Sequence, residues 1–122
     1  MKRIYNVKER YGNMETNTVQ EFFENILSSK FKPEKAKDIQ VIVQINLTGN
    51  NPGNWIITIK DQKIRAIQGT TEEPTLTFKT SENIFLDIVN GKMSIENAFF
   101  SGKINFKGDI TTALKLKETG FI

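Results

Sequence analysis

The run from Asn90 to Asp109, NGKMSIENAFFSGKINFKGD, leaves the backbone few choices. A Gly-Lys pair at Gly91 ends one helical pattern, and glycine is the residue that a helix C-terminus favours. Ala98-Phe99-Phe100 then forms an apolar knot, and a second Gly-Lys pair at Gly102 opens a strand. Gly108-Asp109 starts another helix, with Asp109 able to cap its first amides. The run is packing punctuation without visible catalytic chemistry.

The remaining chain is equally legible. Residues 1–17 are polar and lack a period, which predicts a loosely docked N-terminal arm before a domain over residues 18–122. Thr18-x-x-Glu21 fits a capping box, and Val19, Phe22, Phe23, Ile26 and Leu27 form one helical stripe. Pro33 closes that helix. Ile39, Val41, Val43, Ile45 and Leu47 alternate at period two, the grammar of a half-buried strand. A loop at residues 49–53 predicts a hairpin into Trp55–Lys60, with Trp55, Ile57 and Ile59 on one face. Lys63–Gln68 and Thr75–Lys79 follow as strands, with Ile64, Ala66, Leu76 and Phe78 inward. The turn at Asp61-Gln62 lacks the glycine that a two-residue hairpin turn prefers.

Helical period then returns. Thr80 or Ser81 caps a helix with Ile84, Phe85, Ile88 and Val89; Ser94 caps a short one over Ala98, Phe99 and Phe100. Lys103–Lys107 alternates with Ile104 and Phe106 on one side. The last helix presents Ile110, Ala113 and Leu114, with the aliphatic stem of Lys117 as a further candidate. The element order is α-β-β-β-β-α-α-β-α, without repeat or low-complexity segment.

Composition removes whole classes of chemistry. The 122 residues contain no histidine and no cysteine, which excludes Ser-His-Asp and Cys-His arrangements and thiolate or imidazole metal cages. A net charge of +3, from 17 basic and 14 acidic residues, falls short of a nucleic-acid-binding stripe. No apolar run approaches the roughly 20 residues of a membrane-spanning helix, and no secretory signal is visible. A cytosolic protein with neither catalytic residues nor a metal is the expectation.

Several of these features recur together in one known family. Trp55, Leu76, Phe78, Asn90-Gly91-Lys92-Met93, Ala98-Phe99-Phe100, Gly102-Lys103-Ile104, Gly108 and the Ala113–Leu116 segment follow its spacing. Over Val19–Leu116 the chain resembles the sterol carrier protein domain, also called the nonspecific lipid-transfer family. That resemblance implies an α+β fold: a five-stranded, mostly antiparallel sheet covered on one face by helices. An apolar tunnel for fatty acids, acyl-CoA, sterols or phospholipids would lie between the layers. Residues 1–17 have no counterpart in the pattern, and the ending Phe121-Ile122 lacks the peroxisomal tripeptide of some members.

The expected lipid-binding residues are Trp55, Ile57, Phe78, Phe85, Ile88, Phe99, Phe100, Ile104, Phe106 and Leu114, acting by shape and burial. Phe121 and Ile122 are a candidate lid, with a frayed end as the competing reading. Burying a fourteen-methylene chain at ~0.8 kcal/mol per CH₂ would contribute roughly 11 kcal/mol. Association costs of about 4 kcal/mol or more leave about 7 kcal/mol at most, which corresponds to micromolar binding. Lys30, Lys32, Lys35 and Lys37 read as a solvated loop or a weak foothold on anionic membrane. Lys92, Lys103 and Lys107 read as surface charge or as contacts to a CoA head group. The rival functional reading is an accessory module presenting apolar substrates, such as isoprenoid quinones, to an enzyme.

Overall fold

The structure is a computed structural model that describes residues 16–49 and 53–121. The expected arm therefore lies outside the described residues except for Thr16 and Asn17, as do the tip of the first hairpin loop and Ile122.

Helix α1 is built from three consecutive pieces, Val19–Glu21, a π-helical turn Phe22–Ile26, and Leu27–Lys30. The Thr18 hydroxyl accepts from the Glu21 amide, as the capping pattern predicts. Glu21 does not close a reciprocal box: its carboxylate receives the Asn17 amide and the Thr16 hydroxyl instead. A 3₁₀ turn over Pro33–Lys35 leads into strand β1, Val41–Thr48. The strands β2, Gly53–Lys60, β3, Lys63–Gln68, and β4, Leu76–Ser81, follow. Helices α2, Glu82–Val89, and α3, Ile95–Phe100, precede the short strand β5, Asn105–Lys107, and helix α4, Ile110–Glu118. Ser81, Ser94 and Asp109 cap the last three helices as read from the sequence.

The five strands form one sheet in the order β3-β2-β1-β4-β5. Three pairings are antiparallel, and β1 with β4 is parallel. Alternation decides the faces. Val43, Ile45, Leu47, Trp55, Ile57, Ile59, Leu76 and Phe78 are buried beneath the helices. Their neighbours Ile42 and Ile67 stand partly in solvent on the opposite face. Gln44, although on that face, is buried because its side chain holds the β3–β4 connection. It donates to the Gly69 carbonyl at 3.1 Å and accepts from the Thr71 amide at 2.8 Å.

Two details differ from the simplest reading. Asp61 and Gln62 both adopt positive φ, 52° and 62°, so the β2–β3 turn takes the primed geometry without glycine. The Gln62 amide donates to the Pro33 carbonyl at 3.0 Å, a tie that helps hold this unfavourable conformation. In α4 the expected inward residues Ile110 and Leu114 are about half exposed, whereas Leu116 is buried. The helix is anchored through its C-terminal end by Leu116, Thr119 and Phe121, and its Ile110–Leu114 side faces open space.

Candidate lipid site

Phe22, Phe23, Phe31, Phe78, Phe85 and Phe121 share one buried core with Phe106 packed against it, but the ring–ring contacts fall into two series. Phe22, Phe23, Phe85 and Trp55 form a solid cluster under α1. Phe23 stacks on Trp55 at 4.5 Å and on Phe85 at 5.4 Å, and Phe22 meets Phe85 edge-on at 5.6 Å. A second series runs from the sheet outward. Phe78 and Phe106 oppose each other across β4 and β5 with ring centroids 5.1 Å apart. Phe106 meets Phe99 at 6.3 Å, and Phe99 meets Phe100 at 5.5 Å. These edge-to-face and tilted geometries suit aromatic quadrupoles.

Beside the second series lies an apolar groove of about 500 Å³, between the β4–β5 edge, α3 and α4. Its walls include Phe78, Phe99, Phe100, Ile104, Phe106, Leu114 and Phe121, seven of the residues read from the sequence as site or lid. Such a volume falls within the roughly 300–1,000 Å³ of small-molecule sites. The groove opens where Phe100 and Leu114 project, 82% and 53% exposed. Its floor is dry: Ile104 and Leu116 are buried, and Phe121 is wholly so.

The other four expected residues sit elsewhere. Trp55 and Ile57 are packed in the solid core beneath α1 and do not line the groove. Phe85 and Ile88 border a chink of about 10 Å³ shared with Ile45, Phe78, Thr80, Ile95 and Ile104, no larger than one water. The rings of α1, which the helical stripe turns inward without saying which part of the sheet they cover, fill the space that an empty gap would need there. Conversely, Ile95, Ile110, Ala113 and Leu116 line the groove without having been read as site residues. The stripe Ile110, Ala113, Leu114, Lys117 at helical spacing was the available signal.

The groove's charged side chains are Glu96 and Lys117. Lys117 donates to the Glu96 carboxylate, joining α3 to α4, and this holds the Glu96 carboxyl below its ordinary range. At the groove's sheet edge, the Thr112 hydroxyl and the Thr111 amide hold the Asp109 carboxyl low as they complete the α4 cap. Closing the far end, Phe121 is brought inward by Gly120, whose φ of +84° lets the chain pass the Lys30 carbonyl. The Lys32 amide donates to the Thr119 carbonyl at 2.7 Å and ties that end to the segment after α1.

Of the basic residues weighed earlier, Lys30 turns inward. Its ammonium donates to the Val89 carbonyl at 3.1 Å and lies 5.6 Å from the Phe22 ring centre, and burial pushes its pKa down. Lys32, Lys35 and Lys37 remain exposed. Lys103 is exposed directly after α3, and Lys107 alternates away from Phe106 and the groove. Among the described residues no helix is long and apolar enough to cross a membrane.

Comparison with known proteins places these features in a group. Residues 20–119 match the SCP-2 sterol transfer family. The hydroxysteroid dehydrogenase-like protein 2 of Xenopus laevis is 31% identical over 112 residues, covering 91% of this chain. The chain spans only 27% of that relative's length. The solution structure of sterol carrier protein domain 2 of Helicoverpa armigera aligns with a TM-score of 0.59 at 30% identity, covering 82% of this chain and 77% of that one. Palmitated SCP2L2 from Aedes aegypti aligns with a TM-score of 0.56 at 23% identity, covering 94% and 87% of the two chains.

Proposed function

The chain belongs to the SCP-2 sterol transfer family, and from that premise we propose that it is a non-catalytic lipid carrier whose cargo lies in the groove between β4–β5, α3 and α4. The observation that carries the reading is the groove itself, about 500 Å³ of apolar space lined by aromatic and aliphatic side chains. Apolar cargo is favoured there by removal of its surface from water, at roughly 25 cal/mol per Å². One wall is open, so burial is incomplete and release is easy, as transfer requires. The cargo proposed is a long-chain fatty acid, its acyl-CoA ester or a sterol-like molecule. The palmitated state of the Aedes aegypti relative favours the first.

Phe78, Phe99, Phe100, Ile104, Phe106 and Leu114 are the proposed contacts, with Phe121 as the inner stop. The exposed rings at the mouth and the +3 net charge fit brief contact with anionic membrane during loading, in a cytosolic setting. Delipidated protein should displace a fluorescent fatty acid from buffer into its groove with micromolar affinity. Absence of binding up to tens of micromolar would remove the proposal.

A second reading has one specific support: the chain corresponds to about a quarter of a dehydrogenase-like relative. A domain of this kind would present apolar substrate to an enzyme. Stable co-purification with such an enzyme, together with slow lipid exchange by the domain alone, would favour it.

A further inference from the structure

We propose that Lys117 is the head-group anchor of the groove, selecting carboxylate-headed lipids over neutral ones, and that Glu96 occupies the anchor when no lipid is bound. The inference rests on the carrier reading and specifies its ligand class. The lining of the groove is apolar apart from two charged side chains, and those two are paired with each other across its width. Lys117 stands in the last turn of α4, and Glu96 in the first turn of α3. Each thus lies at the helix end that favours its charge. A lipid with its tail against Phe78, Phe106 and Ile104 has this pair as the charged boundary of its site.

Exchange of one carboxylate for another is inexpensive there. The side chains of Lys117 and Glu96 are 47% and 39% exposed, and exposed ion pairs contribute little. A displaced Glu96 returns to water without an uncompensated buried charge. The incoming carboxylate takes over the Lys117 ammonium, while the tail supplies most of the affinity. A neutral alcohol of the same chain length receives the same burial and must leave the Glu96–Lys117 pair intact or disrupt it without replacing the charge.

The test measures dissociation constants of palmitate and hexadecanol by displacement of an uncharged fluorescent lipid, in wild type, Lys117→Gln and Glu96→Gln. Glu96→Gln, in which Lys117 has lost its internal partner, should prefer palmitate by roughly fivefold, the value of one exposed charge pair. Wild type should show a smaller preference, because palmitate must displace Glu96 from Lys117, and Lys117→Gln should show none. The opposite directions of the two variants separate charge recognition from general damage to the fold. Equal binding of acid and alcohol by Glu96→Gln, or a preference in Lys117→Gln as large as that of Glu96→Gln, overturns the anchor while leaving the carrier intact. Failure of both ligands to displace the probe overturns carrier and anchor together.

Discussion

Gly120 is the residue on which the inner end of the groove turns. It has φ of +84°, and a Cβ there would stand 2.3 Å from the Lys30 carbonyl oxygen. Gly91 has a similar φ of +79° but open space around its Cβ position. Gly91→Ala therefore meets only the conformational penalty, about 1 kcal/mol. Gly120→Ala adds a backbone clash and should cost about 3 kcal/mol, measured by urea unfolding. Equal losses for the two would show that the tail does not pack as described. Trp55 supplies a second residue-scale prediction. It is sealed against Phe23 and separated from the groove-lining Phe78 by Ile45 on the intervening strand, so its emission should shift little when lipid binds. A large shift would place cargo under α1. The inward direction of Trp55 was readable from strand alternation. Its separation from the groove was not, because the Phe23 ring that covers it arrives from a helix over thirty residues away in sequence.

Helices α3 and α4 form one wall of the groove and are short, so their caps matter more than their propensities. The Ser94 hydroxyl accepts from the Asn97 amide at 3.0 Å. Ser94→Ala should cost about 1 kcal/mol, with faster amide exchange concentrated in residues 97–100. Unchanged exchange there would mean that Phe99 and Phe100 are held by packing alone. Acid should loosen the same wall. The carboxyls of Glu96 and Asp109 titrate lower when folded than when unfolded. Their stabilisation is therefore complete above the unfolded carboxylate range, about pH 4, and is lost as pH falls through the folded values. Amide protection factors in α3 and α4, corrected for the pH dependence of intrinsic exchange, should fall with acid in that window, and Glu96→Gln with Asp109→Asn should flatten the response. The caps and glycine stops placed nearly every element from the sequence. Facing was the harder question for α4: its stripe reads as inward with Leu114 at the lipid site, yet Ile110 and Leu114 stand about half exposed beside the groove, since amphipathic spacing does not say whether anything packs against it.

Across the whole molecule, the division of labour is between a filled half and a hollow half. The sheet centre with α1 and α2 is packed by Val43, Ile45, Ile57, Ile59, Phe22 and Phe85, which gives the fold its stability. The β4–β5 edge with α3 and α4 keeps an apolar space open, the proposed cargo site. Ala113 lies on the groove wall, half-buried, where a larger side chain would take up part of the hollow. Displacement of a fluorescent fatty acid from wild type and from Ala113→Trp is therefore the most direct measurement. Micromolar binding by wild type, weakened at least about tenfold in a variant of similar melting temperature, is the expected result. Undiminished binding by the variant would contradict the location of the site.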